Sequence, residues 1–126
     1  MCARSRRSRV VERPKFVSLL FACLMAVAVD GDTLRCKNMT EANGRVRLAR
    51  IDTPERGEPG YDEATRALAQ LIEGQEVTCE LVDADPRRSG FQARDRYGRP
   101  VARCNAGGRD LGATLLSGGY AVKWPK

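Results

Sequence analysis

The chain has 126 residues, room for one domain with one modest core, and its 42% hydrophobic and 30% charged content is that of a soluble globular protein. It has no histidine, which excludes Ser-His and Cys-His nucleophiles, histidine zinc ligands and imidazole acid–base chemistry, and leaves Asp, Glu, Arg, Lys, Tyr, Cys or a metal held by oxygen. Of the formal charge of +6, residues 1–15 supply +5 through Arg4, Arg6, Arg7, Arg9, Arg13 and Lys15 against Glu12, so the remaining chain is nearly neutral and total charge alone does not imply a nucleic-acid partner.

After this basic tail comes "FVSLLFACLMAVAV", residues 16–29, with Ser18 its one polar residue. It is short for a bilayer span, which takes roughly 20 apolar residues. Two readings stay open. Residues 16–28 form a secretory signal or membrane tether, with Ala26-Val27-Ala28 as an A-x-A cleavage site, which places the protein in an exported or inner-membrane-tethered setting. Alternatively, Leu24 to Val29 is the first buried strand of a cytoplasmic protein. The folded domain is expected over residues 29–126.

From there alternation and punctuation define the elements. "DTLRCK" alternates as a strand with Leu34 and Cys36 on one face, and "RVRLARI" places Val46, Leu48 and Ile51 inward. "DEATRALAQLIEG" has helical spacing, with Ala64, Ala67, Leu68, Leu71 and Ile72 on one stripe and Gly74 as its stop. "EVTCELVD" is a strand with Val77, Cys79 and Leu81 on one face. A long polar connection, "DADPRRSGFQARDRYG", leads to the strand "RPVARCN", entered through Pro100. "RDLGATLLSGG" is a second helix, with Asp110 as N-cap and Leu111, Leu115 and Leu116 as its apolar face. The closing "GYAVKW" is expected to seal the core with Tyr120 or Trp124; the alternative is that bases stack on Trp124 at the barrel edge. This order predicts an α+β fold, a five-stranded OB-type β-barrel with two helices.

Two acidic corners carry the chemistry. "VDGDT" turns through Gly31 and leaves Asp30 and Asp32 on either side; "IDTPE" ends a strand on Asp52 and Glu55. If these strands pair as a hairpin, Asp32 and Asp52 meet, and two carboxylates brought together need a cation or a proton between them. Oxygen ligands without His or Cys suit Ca²⁺ or Mg²⁺. Pro54 forces Thr53 into an extended conformation that aims its carbonyl at the same ion. Arg47, five residues before Asp52, and Arg99, after Gly98, would add forked donors, so the set fits a phosphoryl group in transit with a carboxylate to orient or deprotonate water.

"VDGDT", "RLARIDTPE" and "DRYGR", in this order with a helix between the last two, resemble the thermonuclease (staphylococcal nuclease-like) family over roughly Val29 to Val122. The resemblance implies Asp32, Asp52 and the Thr53 carbonyl as Ca²⁺ ligands, Arg47 and Arg99 as catalytic arginines, and Glu55 as the residue that positions or deprotonates the attacking water. It places Tyr97, with Arg96 beside it, near the nucleotide phosphate. The implied activity is Ca²⁺-dependent hydrolysis of DNA and RNA, single-stranded or frayed, to 3′-phosphate ends. The alternative is an inactive OB-type module that binds nucleic acid or protein, for which an intact Glu55 has no use. "RGEPGYD" is shorter than the matching stretch of the best-known member and lacks its lysine-rich loop. Cys36, Cys79 and Cys104 match positions that the family fills with aliphatic residues inside the barrel, so buried free thiols are expected, with one bridge if the protein is exported.

Overall fold

The computed structural model describes residues 19–126; the basic tail and the start of the apolar run lie outside the described residues. The strands are β1 Leu20–Cys23, β2 Val27–Asp30, β3 Thr33–Arg35, β4 Arg45–Leu48, β5 Ile51–Asp52, β6 Val77–Leu81, β7 Val101–Ala106, β8 Arg109–Asp110 and β9 Val122–Lys123, with helices α1 Tyr61–Ile72 and α2 Leu111–Ser117. The main sheet runs β1-β6-β7-β4-β3-β2, and β5 pairs with β9 apart from it. Its two edge strands, β1 and β2, are consecutive pieces of one bent segment. The chain itself therefore joins the edges, and with β1 and β2 taken as one strand the architecture is the five-stranded OB-like arrangement with two helices.

Alternation places the core as expected. Leu34, Val46 and Leu48 from β3 and β4 are buried with Val77, Cys79 and Cys104 from β6 and β7. Helix α1 closes one side through Ala64, Leu68 and Ile72, one turn apart, with Asp62 and Glu63 at the N-terminus where the helix dipole favours them. In α2, Asp110 caps the helix by accepting from the Ala113 N–H at 2.9 Å, and Leu111 and Leu115 face inward.

Four differences from the sequence reading follow from tertiary contacts. Leu24 to Val29 is not one buried strand: Leu24 and Met25 are exposed in a turn, and Met25 has φ 50°. The "RVRLARI" strand breaks at Arg50, whose φ of 64° starts the corner into β5. The core at the C-terminus is sealed by Ala121, while Tyr120 is 42% exposed and Trp124 lines a surface cleft.

Cys36, Cys79 and Cys104 are not free thiols: Cys23 bridges Cys36 and Cys79 bridges Cys104, with Cα atoms 4.9 and 4.0 Å apart. Cys79 and Cys104 are directly opposite on the neighbouring strands β6 and β7. Cys23 finds Cys36 because the bent first strand brings β1 back beside the end of β3.

Two pairings position the site. β3 and β4 are antiparallel, with Thr33 opposite Arg47; β4 and β7 are parallel, with Arg47 opposite Val101. Arg47 N–H donates to the Pro100 carbonyl at 3.0 Å. The turn that delivers Arg99 thus ends beside Arg47.

Candidate active site at the barrel mouth

Asp32 enters at the β2–β3 corner, where Gly31 leaves room for the helix behind it. A Cβ at Gly31 would lie 2.7 Å from Ala64 Cβ and 2.9 Å from Thr53 Oγ1, so a side chain there would push α1 or Thr53 away. Asp32 is only 8% exposed, and a buried carboxylate needs partners. It has three: Thr33 Oγ1 donates to Oδ1 at 3.0 Å, the Thr53 N–H donates to Oδ2 at 3.3 Å, and Arg47 Nη1 lies 3.3 Å from Oδ2. Asp30 stands beside it, and burial, then the adjoining Asp32, raises its pKa above the ordinary carboxylate value.

Arg47 is the hub. Its Nη1 also donates to the carbonyls of Leu48 and Ile51, both at 2.9 Å, and its Nη2 is 3.6 Å from Asp52 Oδ1. The expected meeting of Asp32 and Asp52 therefore occurs, around the Arg47 guanidinium. Arg99 is set by the "DRYGR" turn, where Gly98 has φ 83°. Asp95 accepts from the backbone N–H groups of Tyr97 and Arg99, both at 2.9 Å, and from Arg99 Nε at 2.8 Å. Arg99 Nη1 then reaches Thr33 Oγ1 at 3.3 Å, which links the two arginines through Thr33 and Asp32.

One open cavity of about 570 Å³ is lined by Asp32, Arg47, Asp52, Thr53, Glu55, Tyr97 and Arg99. Glu55 is exposed on the turn after β5; its N–H donates to Glu58 Oε1 at 2.8 Å. Tyr97 is 68% exposed and flanked by the guanidiniums of Arg96 and Arg99, 5.1 and 5.3 Å from its ring centre. Arg96 donates to the Tyr97 hydroxyl at 2.9 Å and lines the adjoining cleft rather than this cavity.

Two contributors escape sequence reasoning. Thr33 alternates onto the expected polar face, yet it is 1% exposed because it joins Asp32 to Arg99. Asp95 could have been found from the Asx-turn form of "DRYGR", an aspartate followed by a glycine turn whose N–H groups it accepts.

For a hard cation the donors are oxygen only: the carboxylates of Asp32 and Asp52 with the Thr53 carbonyl. Among the described residues no three acidic or cysteine side chains gather as a metal cluster. Three oxygen ligands are compatible with a hard cation that completes its shell with water or substrate oxygens.

Residues 45–125 match the family model described as "Staphylococcal nuclease homologue". The chain is 34% identical over 99 residues to the succinoglycan biosynthesis protein ExoI of Rhizobium meliloti (strain 1021), covering 77% of this chain and 49% of that protein. It is 30% identical over 80 residues to a protein named "Uncharacterized endonuclease" from Haemophilus influenzae, covering 64% of this chain and 39% of that one. The chain thus spans half or less of these curated relatives. The family match begins at β4, so Asp32 and Thr33 join the site by geometry, through Arg47 and Arg99.

Proposed function

The chain belongs to the staphylococcal nuclease family, and from that membership and the barrel mouth we propose a calcium-dependent endonuclease that hydrolyses DNA and RNA to 3′-phosphate ends. Two findings support this reading: the family match over residues 45–125 and the endonuclease name of the Haemophilus influenzae relative. The observation that carries the finer reading is the convergence of Arg47 and Arg99, each fixed by a carboxylate, beside an exposed Glu55 in one cavity.

In this reading the two guanidiniums donate to the non-bridging oxygens of the scissile phosphate and neutralise the charge that builds there. Both are preorganised, Arg47 by two carbonyls and Arg99 by Asp95, so little reorganisation accompanies the reaction. Glu55 orients a water and accepts its proton as the water oxygen bonds to phosphorus. The bond from phosphorus to the 5′ oxygen breaks, and that oxygen takes a proton from solvent in the open cavity and leaves as a hydroxyl. A calcium ion held by Asp32, Asp52 and the Thr53 carbonyl would supply further positive charge against the phosphate.

Incubation with plasmid and Ca²⁺, then with a chelator, tests the proposal. Cleavage with the ion and none with the chelator is expected; no cleavage in either tube would leave an inactive binding module.

The reading includes an oxidising compartment, outside the cytoplasm. Two buried bridges in one small domain support it, since such bonds persist where thiols are not kept reduced. Cleavage after Ala28 would remove β1 and Cys23, so an exported form retains these residues. N-terminal sequencing of the mature protein checks this. Among the described residues no helix is long and apolar enough to cross a membrane.

A further inference from the structure

Beside the catalytic mouth lies a second cleft of about 380 Å³ whose far wall is the β6–β7 connection. That connection is folded back on itself: the Ala84 N–H donates to the Gln92 carbonyl at 2.9 Å, and the Gln92 N–H to Asp83 Oδ1 at 2.8 Å. This closure presents Arg87 above Trp124, with the guanidinium carbon 4.9 Å from the ring centre. Asp85 grips the same guanidinium at Nε and Nη2, at 2.9 and 3.0 Å. That fork pulls the Asp85 carboxyl down to about 2.

Seven arginines line the cleft against two aspartates. Some of that charge is neutralised locally, Arg87 by Asp85, Arg94 by Glu41, and Arg99 by Asp95. Arg50, Arg88 and Arg96 have no carboxylate in salt-bridge range among the described residues, and Arg50 spends a guanidinium N–H on the Asp83 carbonyl, which leaves its charge in place. Crowding like charges costs free energy in the empty protein and is relieved by a polyanion. The cleft is continuous with the mouth, because Arg47, Tyr97 and Arg99 line both. An aromatic ring under a guanidinium, at the end of a positive track, is the pairing that holds single-stranded nucleic acid, with phosphates on the charges and a base on the ring.

We propose that Trp124 and Arg87, with Arg88 beside them, form a second nucleotide subsite, which holds a nucleotide flanking the cleaved bond of a single-stranded polynucleotide. This rests on the nuclease reading for what lies across the mouth. The unpaired base stacks on the indole in place of the Arg87 guanidinium, which swings off the ring to one adjoining phosphate while Arg88 takes the next, with the charge of Arg50 behind them. A duplex keeps its bases paired and gains nothing from the ring, so the subsite favours single strands. The charge that "RGEPGYD" lacks is thus carried by the β6–β7 connection.

The test measures binding without turnover, on the full chain in chelator, with a ten-residue oligothymidylate, a thymidine dinucleotide and a duplex. Trp124 is the only tryptophan, so its fluorescence reports the subsite directly. The decamer is expected to quench it, and the duplex to leave it unchanged. In R87A/R88A the decamer should bind about tenfold more weakly, and its salt slope should fall by about 1.4, two phosphate contacts at about 0.7 each. Dinucleotide affinity should not change. R88A alone, at an exposed residue, should lower the slope by about 0.7 and guards against a folding defect in the double variant. Unquenched Trp124, or an unchanged slope in both variants, overturns the subsite. If the parent protein cleaves plasmid while R87A/R88A binds the decamer normally, the subsite fails and the nuclease reading stands. If the decamer quenches and the slope falls but nothing is cleaved, the reverse holds.

Discussion

The barrel mouth and the arginine cleft share Arg47, Tyr97 and Arg99 but hold their charges differently. In the mouth Asp32 and Arg47 are fixed where strands end, Asp32 buried between β2 and β3 and Arg47 tied to the carbonyls of its own corner, and Arg99 is held in its turn by Asp95. In the cleft the arginines ride on a connection whose closure comes from Asp83, Asp85 and a few backbone bonds. Chemistry needs the first arrangement, because a misplacement of about 1 Å costs about a hundredfold in rate. Holding a flexible strand tolerates the second. Substitutions in the mouth should therefore act on turnover, and those in the cleft on affinity.

The sharpest way to break this comparison is at the arginines. R99K and R47K should each lower turnover by about a hundred- to a thousandfold with the thermal midpoint of R99K near that of the parent. Lysine keeps the charge but loses the fork. Arg47 also satisfies the Leu48 and Ile51 carbonyls, so R47K should lose some stability as well. Full activity in R99K would show that this guanidinium only solvates the surface.

Next comes E55Q, expected to lower turnover by about a hundredfold while binding of a nucleoside diphosphate inhibitor stays nearly intact. In the proposed mechanism this carboxylate serves a water rather than the phosphate, and losing a negative charge does not weaken attraction to an anion. Unchanged turnover would move the proton transfer to another residue.

A smaller effect is expected at the join between the two regions. Asp95 holds Arg99 through a charge-assisted bond and organises the turn through the Tyr97 and Arg99 N–H groups. D95N keeps an acceptor for those N–H groups but gives up the charge. About one such bond's difference, ~1.4 kcal/mol, corresponds to about tenfold in kcat/KM. A change in stability with no change in kcat/KM would make Asp95 a turn-former alone.

The same contrast explains what was legible in the sequence. β3, β4, β6 and β7 are half-buried strands, so their alternation showed which residues face the core, and α1 showed its stripe for the same reason. The mouth was legible because its residues stand where those strands end, in turns with recognisable chemistry. Thr33 was not, since alternation assigns it to solvent, whereas in the fold it is buried with its hydroxyl between Asp32 and Arg99. The place of Trp124 stayed open between core and edge because a lone aromatic after a helix carries no periodicity; β5–β9 pairing carries it past the core to the cleft. Arg87 and Arg88 sit in a polar loop with no repeating pattern, and only the fold-back of that loop gives them a common target.

The smallest expected effect on rate belongs to the bridges, which lie in the frame beneath both regions. All four bridged cysteines are at most 4% exposed, and neither pair lines the mouth. Cys79–Cys104 joins β6 to β7 across a sequence separation of 25, so the loop-entropy account assigns it about 3.5 kcal/mol of constraint on the unfolded chain. β6 and β7 stay paired without it, through five register partners from Val77–Ala106 to Leu81–Ala102. C79A/C104A should therefore unfold at a lower temperature while its rate at 25 °C stays within about twofold of the parent, after the lost burial of two small side chains is added to the lost constraint. Thiol titration of the denatured, unreduced full chain gives the matching count: Cys2 alone should react, one group of the five cysteines. Five reactive groups would restore the expectation of free core thiols. A large drop in rate at 25 °C in the double variant would mean that the bridge positions Arg99 through β7, and would carry the mouth's dependence on rigid strands one layer deeper into the barrel.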